Sequence, residues 1–247
     1  MRYFITCAYN GGQYHGWQFQ PNAITVQEIL EDRMSKLLGA KTMVHAAGRT
    51  DTGVHASKMV VHVDAEISDI DNFIFRLNSF LPEDIAIYDI KPVIDTAHAR
   101  FDALERTYHY HIHYQKNPFI NHFSWYWYGS KLNLEAMNDA AAYLLAIDDF
   151  TSFARLHTDN KTNICDVRKA YWTETADGIK FEIVADRFLR NMVRAVVGTL
   201  TEVGKGKINK AEFIEIIAKK DRNFAAASAP AHGLFLADIQ YADELYI

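Results

Sequence analysis

Residues 45–56 read HAAGRTDTGVHA, placing Arg49 two residues ahead of Asp51 between Gly48 and Gly53, with His45 and His55 alongside. Glycines permit tight turns and close approach by a ligand. Asp51 has two readings. It can be a loop aspartate whose side chain accepts bonds from nearby amides, followed by a turn at Gly53. It can also be a catalytic carboxylate. D-T-G is the tripeptide of aspartic proteases too, which need two facing aspartates sharing a proton. One such tripeptide would require a symmetric dimer with this loop on the two-fold axis, and a chain this rich in helical patterns fits that poorly. His55 is best read as a packed or loop histidine.

A second group is the series Arg187, Arg190 and Arg194, whose steps of three and four residues predict one side of a helix. Arg187 and Arg190 fit a solvated basic face equally well. Arg194 differs, because Met192, Val193, Ala195, Val196 and Val197 surround it. A buried arginine needs a carboxylate partner, and Asp51 is a suitable one. The third group is RTYHYHIHY, residues 106–114. Alternation puts Tyr108, Tyr110, Ile112 and Tyr114 on one face of a strand and His109, His111 and His113 on the other. Histidines so spaced on one strand rarely converge on a tetrahedral ion, and neither a cysteine nor a carboxylate completes the set. The tyrosine face can fill a core or stack on a nucleobase.

These groups must be carried by regular elements. Residues 2–9 read as a strand. Residues 24–39 read as a helix: Thr25 and Glu28 have capping-box spacing, Val26, Ile29, Leu30, Met34, Leu37 and Leu38 form a stripe, and Gly39 ends it. A strand over 59–66, a helix over 69–81 stopped by Pro82, and a strand over 84–91 ahead of Pro92 follow. Beyond the strand at 106–114, the pattern predicts a helix over 133–147 and strands over 167–175 and 179–186 joined at Asp177-Gly178. Helices over 188–203 and 210–220 and a strand over 234–241 complete the chain. Both halves follow a rough strand–helix–strand plan, consistent with a duplicated α+β architecture. The boundary falls near 100–106, dividing residues 1–104, which carry the Asp51 loop, from 105–247, which carry Tyr108 and Arg194.

The chain has 247 residues, 49% hydrophobic and 23% charged, enough to bury a core. No run approaches the length of a membrane span, and the N-terminus lacks a secretory pattern. Cys7 and Cys165 make neither a disulfide framework nor a zinc site, so a cytoplasmic location is expected. The net charge of −5 argues mildly against a nucleic-acid partner. It is unevenly spread, however: residues 150–222 hold 14 Lys and Arg against 10 Asp and Glu. The local field matters more than the total.

Taken together, YNGGQYHGWQFQP (9–21), AGRTDTGVHA (47–56), FDALERTYHY (101–110), FLRNMVRAVVGTL (188–200) and APAHGLFL (229–236) closely resemble the TruA family of tRNA pseudouridine synthases. The resemblance implies an α/β fold of two facing, duplicated α+β halves with mainly antiparallel sheets flanked by helices. It implies an isomerase that converts uridine to pseudouridine at positions 38, 39 and 40 of the tRNA anticodon arm, acting as a homodimer without cofactor, metal or membrane. Carried over by motif, it makes Asp51 the catalytic aspartate and Arg194 its partner. Arg49 would extrude the target nucleotide, Tyr108 would stack on the base, and Leu234 would form part of the apolar wall. Arg187 and Arg190 stand where the family more usually has glycine and histidine, so neither receives a catalytic role. Arg49, Lys58, Arg76, Arg106, Arg155, Arg187 and Arg190 are the candidates for a tRNA-binding surface. A non-catalytic RNA-binding protein is the rival, but binding alone gives no reason to bury a carboxylate near RNA.

Overall fold

A computed structural model describes residues 1–155 and 161–247 as an α+β protein that divides into two compact units, Met1–Glu105 with Phe235–Ile247, and Arg106–Leu234. In the first unit, β1 (Arg2–Tyr9) runs antiparallel to both β3 (His55–Asp64) and β4 (Ile85–Val93). Its place between two strands explains its burial: Tyr3, Phe4, Ile5, Cys7 and Tyr9 are all buried. Arg2 lies opposite Asp64 in the register and pairs with it at 2.7 Å. The short β2 (His45–Ala46) pairs with β3 near His62, and β9 (Leu234–Gln240) lies parallel to β3 at His55 and Ala56.

That last pairing brings the end of the chain onto a strand of the first half. The closing strand belongs by its contacts with the first half, because β3 offers it backbone partners just beyond the Asp51 loop. Pro92 does not end β4. The strand runs on to Val93 and is the outer member of the order β4-β1-β3, where a missing N–H is tolerated. Helix α1 (Val26–Leu38) begins at Thr25, whose hydroxyl accepts from the Glu28 N–H, and ends at Gly39 with φ of 69°. Val26, Leu30 and Met34 are its buried face. Helix α2 (Ile70–Phe80) is capped by Asp69 and buries Phe73 and Leu77. Each such cap contributes about 1 kcal/mol.

In the second unit, β5 (Glu105–His113) pairs antiparallel with β8 (Gly178–Ala185), and β8 with β7 (Val167–Glu174). The short β6 (Trp125–Tyr126) runs parallel to β5. Helix α3 (Leu134–Ala141) tightens into a 3-10 turn over Ala142–Ala146 rather than continuing to 147. Helix α4 (Met192–Gly204) is nearly all buried, and α5 (Lys210–Ala218) carries a full capping box between Asn209 and Glu212. Trp172, Tyr110, Phe150, Phe153, Phe181 and Phe213 are fully buried and dominate this unit's core.

Helix α4 starts four residues later than expected. Asn191 precedes it with φ of 65°, in the left-handed region, which no helix can cross. The three arginines are therefore not one helical stripe. Arg194 is on α4; Arg187 and Arg190 are in the approach to it. Among the described residues, no helix is long and apolar enough to cross a membrane.

Candidate active site

Asp51 sits half-buried in a tight turn: the Val54 N–H donates to its carbonyl at 3.1 Å, and Gly53 follows with φ of 74°. The turn is gripped from below by residues 9–17. The Tyr9 hydroxyl is 2.8 Å from Thr50 Oγ1 in a buried hydrogen bond. The Trp17 N–H donates to the Thr50 carbonyl at 3.1 Å, and the Gly53 N–H to the Tyr14 carbonyl at 3.3 Å. Two glycines make the approach possible. A Cβ at Gly11 would overlap the Val54 carbonyl. One at Gly16, whose φ is 88°, would stand 2.5 Å from the Thr50 oxygen and 3.1 Å from the Asp51 carbonyl carbon. Residues 9–17, which the sequence marks only as part of a family motif, are thus the cradle of the aspartate. Their signal was the pair of glycines flanking Tyr14, but nothing in the spacing names the partner.

The cradle is itself anchored. Tyr14 donates to Asp84 Oδ1 at 2.6 Å, and burial together with that carboxylate pushes the phenol above its usual range. His55 is buried, accepts from the Gly11 N–H at Nδ1 (3.0 Å), and stacks on Phe235 with centroids 4.7 Å apart. It occupies a packing position. Arg49 is exposed beside the turn. Gly48 differs from Gly11 and Gly16, since a Cβ there would meet nothing within 4 Å.

In the second unit, Arg194 is half-buried and is held by the strap that follows residue 224. Its Nε–H donates to the Ala229 carbonyl at 2.7 Å, and the Ala229 N–H returns a bond to the Arg194 carbonyl at 2.9 Å. A Cβ at Gly198 would overlap the Ala227 carbonyl, so this glycine lets the strap lie against α4. Tyr108 lies opposite Ile183 in the β5–β8 register, and its ring meets Phe188 edge-on at 5.0 Å. Leu234 is buried directly after Gly233, which is pressed against the Tyr110 ring; the Tyr110 hydroxyl donates to the Pro230 carbonyl at 2.8 Å. One short strap therefore positions both Arg194 and Leu234.

The strand histidines serve the sheet. His109 Nε2 lies 2.8 Å from Glu182 Oε2, and burial keeps the ring below its usual pKa, so at neutral pH it is a neutral donor to that carboxylate. Lys169 also bonds Glu182, holding its carboxyl down to about 2. His111 is pushed by burial to about 4. Among the described residues, no three His, Cys, Asp or Glu side chains gather around one ion position. Of the expected basic surface, Lys58 is already paired with Asp238 at 2.5 Å, and Arg106 donates to the Asp186 carbonyl at 2.5 Å.

The tRNA pseudouridine synthase family profile matches residues 5–102 and 140–242. The chain is 49% identical to tRNA pseudouridine synthase A of Parabacteroides distasonis over 247 residues, covering 99% of this chain and 98% of that one. It is 49% identical to the Porphyromonas gingivalis protein of the same name, covering 100% and 99%. With the Bacillus subtilis protein of that name it shares 38% over 246 residues, covering 98% and 99%. Similarity of this extent, spanning the Asp51 turn, its cradle and the Arg194 strap, places the chain in the tRNA pseudouridine synthase family of isomerases.

Proposed function

We propose that the protein isomerises uridine to pseudouridine at positions 38, 39 and 40 of the tRNA anticodon stem-loop, with Asp51 as the carboxylate that acts on a flipped nucleotide. The supporting observation is the Asp51 turn. It is held from beneath by Tyr9, Gly11, Gly16 and Trp17, an investment of backbone contacts that a solvated loop does not need.

In the reaction the N1–C1′ bond breaks, the uracil turns, C5 bonds to C1′, and the proton on C5 leaves while N1 gains one. Nothing is oxidised and no group enters, so the chemistry calls for no cofactor. Breaking the glycosidic bond builds positive charge at C1′, as in glycoside hydrolysis. An ionised carboxylate stabilises that charge or attacks covalently. In this reading Arg194 is the guanidinium partner assigned to Asp51.

A nucleotide in a helical stem must first be extruded, at a cost of a few kcal/mol. Arg49, exposed two residues before Asp51, takes the vacated place in the stack. Tyr108 stacks on the uracil, and Leu234 supplies an apolar wall that limits water. A homodimer in the cytoplasm completes the reading.

The test is tritium release from unmodified tRNA carrying 5-³H-uridine, which reports loss of the C5 hydrogen. Asp51→Asn should lower kcat by on the order of 10³-fold or more while tRNA binding survives. Substantial turnover by that variant would reject the assignment. Arg49→Ala should lose activity on stem uridines, and unchanged rates there would remove its extrusion role.

A further inference from the structure

A cavity of about 670 Å³ opens within the second unit, ahead of α4. Arg155, Arg190 and Arg222 line it, with Asn191, Asn223 and the backbone of residues 225–227. Its walls are tied together. The Arg155 N–H donates to the Arg190 carbonyl at 3.2 Å. Ser228 Oγ accepts from Asn191 Nδ2 at 2.6 Å and from an Arg222 terminal nitrogen at 3.0 Å. The other terminal nitrogen of Arg222 donates to the Ala225 carbonyl at 3.1 Å. Three cationic side chains are thus brought to one opening by the 3-10 helix Arg222–Phe224, a turn at Arg190 and a loop at Arg155, far apart in sequence.

Arg222 is the most telling of the three. It is partly buried, and among the described residues no carboxylate reaches ion-pair distance of its guanidinium. Burial alone shifts its pKa, downward, with no negative neighbour raising it. A partly desolvated positive charge without a counter-ion favours an anion. Guanidinium groups match phosphate oxygens in a planar, two-bonded geometry.

We infer that this cavity receives a backbone phosphate of the RNA substrate. The inference rests on the proposed function and extends it: the cavity lies beside Asn191, and Arg194 is three residues further along the chain, so a phosphate held there anchors the strand that carries the target nucleotide. Such an anchor sets position and does not read sequence.

The test uses Arg155→Gln and Arg190→Gln, singly and together, with Arg190→Lys as the charge-preserving control. Both positions are exposed, and unchanged thermal unfolding would verify the fold. The readouts are the Kd for unmodified tRNA across a salt series, with KM and kcat from tritium release. The double variant should lower the slope of log Kd against log salt by about 0.7 to 0.9 for each phosphate that the cavity no longer neutralises. KM should rise several-fold with kcat nearly unchanged, and Arg190→Lys should keep the slope. An unchanged slope and KM would overturn the inference. So would a free-anion site: inorganic phosphate raising the melting temperature of the wild type but not of the double variant, with equal tRNA salt slopes. A wild type that modifies tRNA while the variants behave identically discards the cavity alone. A wild type that neither binds nor modifies tRNA discards the functional reading, and the cavity's role with it.

Discussion

Arg194 and Ala229 hold each other by two hydrogen bonds, the Arg194 Nε–H to the Ala229 carbonyl at 2.7 Å and the Ala229 N–H to the Arg194 carbonyl at 2.9 Å. The side chain is thereby aimed by the backbone it supports. Arg194→Lys keeps the charge but removes the Nε–H, leaving the Ala229 carbonyl without its side-chain donor. The expected cost is about 1–3 kcal/mol of stability, together with loss of activity. Urea unfolding alongside tritium release checks it. Full activity in the lysine variant would show that charge alone suffices and that the aim set by Ala229 is dispensable.

Gly16→Ala should damage catalysis beyond its effect on stability. The residue needs φ of 88°, and its Cβ would press on the Thr50 and Asp51 backbone. Strain of this kind costs about 1–3 kcal/mol, and a displacement of about 1 Å at a reacting group costs roughly 10²-fold in rate. Gly39→Ala is the control: φ is 69° there, but nothing lies within 4 Å of the new carbon. It should cost about 1 kcal/mol and leave kcat intact. Equal kcat losses in the two variants would break the link between the cradle and the aspartate.

Tyr9→Phe deletes the buried bond to Thr50 Oγ1 at 2.8 Å without changing ring volume. Stability should fall by about 1–2 kcal/mol, and kcat should fall while tRNA affinity holds, because the change loosens the turn and touches no RNA-binding group. Comparing kcat with the tRNA Kd separates these effects. A fall in affinity with kcat preserved would show that the bond does not serve the aspartate.

Acid should destabilise the protein well before its carboxylates titrate. Burial, aided by the neighbouring His98 and His45, lowers His62 to about 4, and burial with His109 and Lys180 lowers His111 to about 4. Unfolded histidine binds a proton below about 6.5. Between those values the unfolded chain holds protons the native one does not, so stability rises with pH through this window and is lost as pH falls from about 6.5 towards 4. His111→Gln should flatten the decline of melting temperature over that range. A pH profile identical to wild type would show that His111 is not a source of the slope.

Much of the local architecture was legible in the residues. Thr25 and Gly39 bracket α1 as their chemistry dictates, and Asp69 caps α2. Alternation in residues 106–114 marks a strand, yet its two faces are not simply a core face and a polar face. Tyr110 and Ile112 are buried, and so is His113, which stacks on Tyr126 of β6 with centroids 5.2 Å apart. Two-residue strands such as β2 and β6 leave no period to detect, and only pairing with a neighbouring strand defines them.

What the amino-acid order determined by itself is whatever depends on neighbours a few residues apart: caps, amphipathic stripes, turn glycines, and the motifs that mark the family. What tertiary structure decided lies between segments distant along the chain. It placed Tyr9, Gly11, Gly16 and Trp17 beneath Asp51, fastened Arg194 to Ala229, joined β9 to β3, and let a left-handed Asn191 separate Arg190 from the helix bearing Arg194. The physical reason is that hydrogen bonds and close packing between remote segments exist only once the backbone brings them together. No periodicity records which carbonyl a glycine was left small to meet.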